Sequence, residues 1–236
     1  MVTLIKSLIQ KFRVYGPVTF SKYVLWELAY HYPRRVLLKT YSQTGEDLLI
    51  YKQLKFKKNG FYVDVGASDP ARFSNTQKFY KLGWRGISIE PNPTDYKKLV
   101  LARPEDTNLN IGISDSFGEL DYFEMSSRML SSFSSEAMAQ SVKEGHFLVS
   151  QIKVPVHPLS EVLDTYSLGR KIDFISVDTE GYELTVLKSN NWEKYRPTLI
   201  CVESSNCDSF LEGIGYKKIG SNKHNTIFTD SNLLLG

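Results

Sequence analysis

Short runs of β-branched and aromatic residues alternate with helix-favouring segments from residue 60 to near the end of the chain. The first run, FYVDV at 61–65, ends at Gly66, and the segment from Asn75 to Leu82 then favours a helix that Gly83 closes. Such alternation predicts an α/β domain with a mainly parallel sheet, because parallel strands need a crossover connection that is usually a helix. The last two strand-like runs lie close together, which favours an antiparallel ending to the sheet.

The remaining elements follow from the same pattern. Further strands are predicted at 86–90, 107–113, 119–124, 151–156, 173–177, 198–202, 215–219 and 225–229, and further helices at about 94–102, 159–166, 181–188 and 207–213. The serine-rich stretch 125–147 breaks this rhythm and is predicted to be a loop. Two interpretations of it stay open: a surface insertion without a role, or a lid or substrate loop that closes over a ligand.

Length and composition limit the number of domains and the class of partner. The 236 residues, 42% of them hydrophobic, can bury one sizeable core and are too few for two full-sized domains with separate activities. The net charge of +3 is too near balance to indicate a nucleic-acid partner. Two cysteines cannot build a disulfide framework, so a reducing, cytoplasmic location is expected.

Residues 1–39 differ from the rest and are predicted to be a basic, aromatic-rich helical extension of a main domain at 40–236. This segment carries a single acid, Glu27, against seven basic residues: Lys6, Lys11, Arg13, Lys22, Arg34, Arg35 and Lys39. Two helices are expected in it, at the start of the chain and at about 18–31. They either pack on the main domain or a second subunit, or make peripheral contact with a membrane or cover a bound molecule. No signal peptide or spanning segment is expected.

The ends of the first two predicted strands carry acidic residues that suit a nucleoside ligand. Asp64 and Gly66 close the first strand, and Glu90 closes the second at about the 20-residue spacing of ribose-binding acids. A carboxylate can accept hydrogen bonds from both ribose hydroxyls. The first loop has one glycine and an added acid, Asp69, so a pyrophosphate would fit poorly. Negative charge there favours a cationic nucleoside such as S-adenosylmethionine.

Five blocks, in order, resemble the FkbM family of methyltransferases. They are SQTGED at 42–47, FYVDVGA at 61–67, FSNT at 73–76, GWRGISIEPN at 83–92 and DFISVDTEGYE at 173–183. The resemblance covers about residues 40–230, with one conservative departure at Thr179, where the family more often has Val or Ile. It implies a class I Rossmann-like methyltransferase fold with a seven-stranded, mainly parallel sheet and an antiparallel last strand. It also implies S-adenosylmethionine as cofactor and O-methylation of sugars or natural-product hydroxyls.

The resemblance also assigns cofactor contacts. It implies that Asp64, Gly66 and Ala67 contact the methionine part, Glu90 the ribose, Pro91 and Asn92 the adenine side, Ser114 and Asp115 the adenine amino group, and that Gln43, Glu46, Asn75 and Thr76 line the methionine pocket. Purely structural alternatives stay open. Asp64 could instead pin a loop, Asn75 or Thr76 could cap the following helix, and Glu46 could be a solvated helix residue.

A second group of acids follows the predicted strands at 173–177 and 198–202. Asp178 and Glu180 end one strand, and Glu203 and Asn206 end the next. Adjacent parallel strands bring such ends together, so these side chains are expected in one crevice. Asp178 and Glu180 are the candidate catalytic residues, because methyl transfer to a hydroxyl requires removal of its proton. Asp178, Glu203 and Asn206 are candidate ligands of Mg²⁺ or Mn²⁺, which prefer oxygen donors.

Other assignments of these acids stay open. Asp178 could contact the cofactor, Glu180 could cap the helix that follows, and Glu203 could pair with a basic side chain. His146, His157 and His224 are alternative bases, and His146, in the serine-rich stretch, is also a candidate substrate residue.

The expected acceptor is a sugar, glycan or glycolipid, and homo-oligomerisation stays open. Two other functions compete with the methyltransferase. One is a metal-dependent nucleotide-sugar glycosyltransferase, since the run Asp178–Glu180 loosely resembles an Asp-x-Asp motif. The other is a non-catalytic, membrane-associated binding protein.

Overall fold

The computed structural model describes residues 32–203, 205–222 and 224–234, together with the single positions 21, 25 and 29. The chain divides into two compact units, 1–41 and 42–236. In the first unit, Arg34–Leu38 form a π-helical turn. The two helices predicted before residue 32 lie outside the described residues apart from those three positions. No helix among the described residues is long and apolar enough to cross a bilayer.

The second unit is built from ten strands and seven α-helices in its described part. The strands are β1 Phe61–Val65, β2 Arg85–Ile89, β3 Thr107–Leu109, β4 Gly112–Ile113, β5 Gly118–Met125, β6 Leu148–His157, β7 Phe174–Val177, β8 Leu199–Val202, β9 Tyr216–Ser221 and β10 Thr226–Asp230. The helices are α1 Glu46–Gln53, α2 Gln77–Lys81, α3 Pro93–Ala102, α4 Ser135–Lys143, α5 Leu159–Tyr166, α6 Glu183–Lys188 and α7 Asp208–Gly213. Single 3₁₀ turns occur at Arg128–Leu130, Ser205–Cys207 and Ser231–Leu234.

Seven strands form the central sheet in the order β3-β2-β1-β7-β8-β10-β9. The first five run parallel, and β10 is antiparallel to both β8 and β9. The prediction of a mainly parallel, seven-stranded sheet with an antiparallel last strand is therefore confirmed.

Helices cover both faces of the central sheet, and β1 shows how the sequence divides between them. Phe61, Val63 and Val65 pack in the core that α5, α6 and α7 cover. Tyr62 belongs to the opposite core, which α1 and α2 cover, and Asp64 lies on the same face as Tyr62 because side chains alternate along a strand.

A smaller sheet, in the order β4-β6-β5, is inserted between β3 and α5. The sequence predicted one strand at 107–113, but the structure has two, β3 and β4, which belong to different sheets. The side-chain amide of Asn110 lies between them and donates to the carbonyl oxygens of Glu90 and Pro91, at 2.8 and 3.0 Å. The chain is thereby held against the end of β2 and leaves the central sheet.

The stretch 125–147 is not a continuous loop, as the sequence predicted, because it contains α4. Ser134 caps this helix, and its Oγ accepts a hydrogen bond from the backbone N–H of Ala137 at 3.1 Å. Serines favour loops and N-caps alike, which is why the serine content alone did not reveal the helix. A lid role for this stretch stays a prediction.

The carboxyl ends of β2, β1, β7 and β8 lie at one edge of the central sheet. In register, Val65 pairs with Ile89 on one side and with Val177 on the other, and Val177 pairs with Val202. The residues that follow these strands therefore meet at this edge. Gly66 has φ +81°, and a Cβ built on it would lie 1.8 Å from the backbone carbonyl oxygen of Asp178. Only glycine allows this approach without a shift of the backbone.

We expect Gly66→Ala to lower the free energy of unfolding by about 2–5 kcal/mol, because left-handed backbone costs a non-glycine residue about 1–2 kcal/mol and overpacking costs about 1–3 kcal/mol. Gly118→Ala is the matched control, since a Cβ on Gly118 would have no atom within 4 Å and its φ is ordinary. Urea unfolding of both variants measures the difference. Equal stability of the two variants would contradict the close approach at Gly66.

Candidate active site

Three carboxyl groups gather where β7 and β8 end. One carboxylate oxygen from each of Asp178, Glu180 and Glu203 lies within 4.8 Å of the other two, and all three residues are half-buried. No lysine or arginine of the described residues forms an ion pair with any of them. The sequence predicted that these strand ends meet, because Asp178 and Glu203 follow paired residues of adjacent parallel strands.

The turn that carries Glu180 is held by hydrogen bonds to its backbone. Glu180 has φ +53°, a left-handed conformation that is uncommon for a non-glycine residue. Glu183 Oε1 accepts from the backbone N–H groups of Thr179 and Gly181, both at 3.0 Å, and Ser132 Oγ donates to the Glu180 carbonyl oxygen at 2.8 Å. Backbone strain of this kind persists only where surrounding contacts fix it, and it is frequent at functional sites.

Glu183 and Ser132 were not among the residues predicted from the sequence. The acid that ends the run DTEGYE was a signal for Glu183, which is almost fully buried. No signal in the sequence indicated Ser132, because the insertion brings it to the turn. Helix α6 begins at Glu183 without a side-chain cap, so Glu180 does not cap it.

Burial and mutual repulsion raise the pKa values of all three acids. Burial raises the pKa of Asp178 well above its ordinary value, and the charge of Glu203 and a hydrogen bond between the two carboxyl groups raise it further. The pKa of Glu203 is also raised, first by burial and then by the charge of Glu180. Burial and the charge of Asp178 raise the pKa of Glu180 to about 8. Glu203 therefore pairs with an acid rather than with a basic side chain.

Glu90 lies at the end of β2, buried and held in one orientation. Its Oε1 accepts from the backbone N–H of Asn92 and its Oε2 from that of Ser68, both at 2.7 Å. Burial raises the pKa of Glu90 to about 8 despite these two hydrogen bonds. Each carboxylate oxygen has a further lone pair, so both can still accept from a ligand hydroxyl.

The residues assigned to the adenine side have structural partners of their own. Asn92 caps α3, with its Oδ1 accepting from the N–H of Thr94 at 2.9 Å, and its Nδ2 donates to Glu124 at 2.6 Å. Pro91 is buried, and in the chain it lies between Glu90 and Asn92, which are joined by a hydrogen bond. Ser114 is buried, with its Oγ 3.4 Å from the Asp115 carboxylate, and Asp115 itself is exposed. A cofactor role for these residues stays a prediction.

Asp64 has two partners inside the protein. Thr76 Oγ1 donates a hydrogen bond to Asp64 Oδ2, and Nη1 of Arg103 lies 3.5 Å from the same oxygen. Thr76 occupies the N-cap position of α2, but its side chain makes no capping hydrogen bond. Ala67 is buried directly after Gly66, in the loop that follows β1. The sequence did not indicate Arg103, because it belongs to no recognisable block.

Glu46 and Asn75 lie in the polar interior next to the acid cluster. Glu46 is buried and therefore not a solvated helix residue, and its carboxylate accepts from Thr44, Asn222 and Asn225. Burial opposes its charged form, but hydrogen bonds from the Thr44 side chain, from the backbone N–H groups of Glu46 and Thr44 and from the Ser42 side chain outweigh it and lower the pKa of Glu46. Asn75 Nδ2 donates to Ser176 Oγ on β7 at 3.1 Å. Gln43 is half-buried ahead of α1.

Asn206 and the three candidate histidines are not members of the carboxylate cluster. Asn206 is exposed in a 3₁₀ turn after β8, and its role as a metal ligand stays a prediction. His146 lies half-buried just after α4. His157 ends β6, and its ring packs edge-on against Phe117 at a centroid distance of 5.0 Å. His224 lies in the turn between β9 and β10.

The sheet order, with an acidic edge at the carboxyl ends of its central strands, defines a class I Rossmann-like methyltransferase fold. Residues 64–218 match the model of the methyltransferase FkbM domain. The chain therefore belongs to the FkbM methyltransferase family, which confirms the resemblance found in the sequence.

Three of the solved structures similar to this chain carry the word methyltransferase in their names. Methyltransferase FkbM from Methylobacillus flagellatus is 14% identical with a TM-score of 0.47, and the match covers 73% of this chain and 44% of that one. Precorrin-6y C5,15-methyltransferase from Geobacter metallireducens is 14% identical with a TM-score of 0.41, covering 78% and 85%. A TehB-like SAM-dependent methyltransferase from Corynebacterium glutamicum is 10% identical with a TM-score of 0.41, covering 86% and 96%.

This chain thus spans less than half of the length of the FkbM structure that it matches. None of the curated proteins matches it.

The raised carboxyl pKa values predict that stability falls as pH rises. In the folded protein Glu180 and Glu90 hold their protons up to about pH 8, whereas their ordinary value is 4.5. Between pH 4.5 and about pH 8 the folded state therefore binds more protons than the unfolded state. The stability that this difference contributes is fully present below pH 4.5 and is lost as the pH rises to about 8. We expect the thermal unfolding midpoint to fall between about pH 5 and about pH 8.

Glu180→Gln should make this pH dependence shallower, because the amide cannot ionise. Glu119→Gln, at an exposed position on β5, is the matched control and should leave the slope unchanged. Thermal unfolding at constant ionic strength measures both. The same slope in Glu180→Gln and the wild type would contradict the raised pKa of Glu180.

Proposed function

We propose that this chain is an S-adenosylmethionine-dependent O-methyltransferase that acts on a hydroxyl of a sugar or glycan. The observation that carries the proposal is the unneutralised cluster of Asp178, Glu180 and Glu203 at the edge where Glu90 also lies. Membership of the FkbM family supports the reaction class. The saccharide acceptor rests on the resemblance in the sequence.

The residues at this edge fit the proposed cofactor. S-adenosylmethionine carries positive charges on its sulfonium and amino groups, and the side chains here are acids without a basic partner among the described residues. In its ionised form Glu90, fixed by two backbone N–H groups, would present two carboxylate oxygens that suit a pair of ribose hydroxyls. When bound, the cofactor supplies an activated methyl carbon. The chain has to orient the acceptor and remove its proton.

The hydrogen-bonded pair of Asp178 and Glu203 is the candidate general base. Two carboxyl groups that share a proton have separated pKa values, and one member stays ionised near neutral pH. A base with a raised pKa takes a proton from a hydroxyl more readily than an ordinary carboxylate does. Glu180, on the same turn as Asp178, is within reach of the same hydroxyl and would orient it by accepting a hydrogen bond.

The same three carboxylates also fit a divalent cation. Oxygen-only ligands within 4.8 Å of one another suit Mg²⁺ or Mn²⁺, and the residues that would hold the ion are Asp178, Glu180 and Glu203. Glu180 joins this set, and Asn206 stays a predicted ligand. The ion would lower the pKa of the acceptor hydroxyl.

Cellular location and partners rest on the sequence alone. A cytoplasmic location, a sugar, glycan or glycolipid acceptor, contact with a membrane surface through residues 1–39 and a homo-oligomeric state stay predictions. The glycosyltransferase alternative loses support, because the chain belongs to a methyltransferase family.

Separate measurements of cofactor binding and turnover test the proposed roles. We expect Glu90→Gln to weaken S-adenosylhomocysteine binding at least about tenfold, a loss of about 1.4 kcal/mol, because the amide offers one acceptor oxygen instead of two. Asp178→Asn should retain this affinity within about threefold and lower kcat by about 10²–10⁴, the usual contribution of a general base. Calorimetry measures binding, and release of S-adenosylhomocysteine measures turnover with free, nucleotide-linked and lipid-linked sugars.

The exposed variant Glu119→Gln serves as the control for both assays. If the wild type binds no S-adenosylhomocysteine, the proposed function is wrong. If it binds and Asp178→Asn turns over at the wild-type rate, the assignment of the base is wrong.

Chelation tests the divalent cation. We expect turnover to be lost after dialysis against EDTA and restored by Mg²⁺ or Mn²⁺, and Glu180→Gln to raise the metal concentration that half-restores it about tenfold, since one of three ligands is lost. Full activity after rigorous chelation would mean that the carboxylates act without a metal.

A further inference from the structure

Arg103 is fully buried directly after α3, and its guanidinium has a hydrogen-bonding partner on each nitrogen. Nη1 donates to Thr76 Oγ1 at 2.7 Å, Nη2 to Ser74 Oγ at 2.7 Å and to the Pro70 carbonyl oxygen at 2.9 Å, and Nε to Gln77 Oε1 at 3.2 Å. The carboxylate of Asp64 lies 3.5 Å from Nη1. A buried guanidinium needs this degree of compensation, because removal of its hydration is costly.

All of these partners except Asp64 lie between the end of β1 and Gln77, the first residue of α2. We call residues 66–77 the first loop. The first loop contains two non-glycine residues with left-handed backbone, Ser68 with φ +45° and Phe73 with φ +56°. Such conformations are unfavourable by themselves and require external contacts to hold them. The planar guanidinium of Arg103 supplies such contacts, because it donates hydrogen bonds to four residues of the loop.

The first loop is also in direct contact with the candidate ribose-binding acid. The backbone N–H of Ser68 donates to Glu90 Oε2, and Gly66, at the start of the loop, lies against the Asp178 carbonyl oxygen. A displacement of the loop would therefore move one of the two groups that orient Glu90.

We propose that Arg103 is a positioning residue for the cofactor site, which holds the first loop in its binding conformation with Asp64 as its counter-ion. Asp64 then acts through Arg103 and Thr76 instead of contacting the methionine part of the cofactor. This inference rests on the proposed function.

The geometry of the guanidinium makes this role specific to arginine. Arginine presents five N–H donors in a planar fork, whereas lysine presents a single charged group that cannot reach acceptors spread along the loop. Arg103→Lys therefore keeps the charge opposite Asp64 and removes most of the contacts with the loop.

A second arginine provides the matched control. Arg196 binds Asp230 with two hydrogen bonds of 3.0 and 2.8 Å, and it precedes β8, at the amino end of the strand and away from the candidate site. Arg196→Lys should lower the thermal unfolding midpoint but leave the affinity for S-adenosylhomocysteine within about twofold.

The experiment compares S-adenosylhomocysteine affinity with hydrogen exchange of the first loop in the ligand-free protein. We expect Arg103→Lys to raise the Kd about tenfold or more and to speed exchange at residues 66–77, because displacement of a binding group by a fraction of an ångström is costly. Asp64→Asn should do both as well, and the double variant should be little worse than either single variant. If Arg103→Lys does not fold, Ser74→Ala removes one acceptor and should show a smaller change in the same direction.

Each other outcome overturns a distinct statement. A folded Arg103→Lys with wild-type Kd and wild-type exchange overturns the role of Arg103. If Asp64→Asn weakens binding but leaves exchange of the first loop unchanged, Asp64 contacts the cofactor directly and the inference is wrong. Failure of the wild type to bind S-adenosylhomocysteine overturns the proposed function and the inference with it, whatever the variants do.

Discussion

The parallel register of β1, β7 and β8 is the constraint on which the rest of the structure depends. Paired strands that run in one direction end together, so the residues after Val65, Val177 and Val202 meet at one edge. The backbone of Asp178 approaches Gly66 so closely that no side chain fits between them. This contact brings the acidic turn of β7 next to the loop that follows β1. The candidate catalytic acids and the loop with the predicted cofactor contacts are therefore neighbours because β1 and β7 are paired.

The acids of the candidate site fall into two groups, which differ in whether a basic side chain lies beside them. At the carboxyl ends of β7 and β8, three half-buried carboxyl groups lie together, and no lysine or arginine of the described residues forms an ion pair with them. Burial and mutual repulsion raise their pKa values. One layer deeper, Asp64 has a buried counter-ion in Arg103. The candidate catalytic acids have no basic partner among the described residues, whereas Asp64 has one, although burial still raises the pKa of Asp64. The same arrangement separates residues that would act on a ligand from residues that hold those residues in place.

The sequence predicted the fold and the location of the site to a large extent, because both depend on local patterns. Alternating strand and helix signals defined the central sheet, and the ends of those strands identified Asp178 and Glu203 as neighbours and Glu90 as an acid that ends another strand. Where the prediction differed, the signal was ambiguous. The serines that begin α4 are equally typical of a loop, and one apolar run at 107–113 concealed two strands of different sheets. Arg103 and Ser132 gave no signal, since their partners are distant in the chain.

The sequence by itself determined the fold class, the family and the set of acids at the strand ends, because periodicity and short motifs are encoded by neighbours in the chain. Only the tertiary structure decided what each of these acids contacts. Glu180 lies in one cluster with Asp178 and Glu203, and Asp64 is bonded to Thr76 and Arg103. The physical reason is that a side chain's partners, burial and pKa depend on groups brought together from distant segments, and local sequence carries no record of those distances.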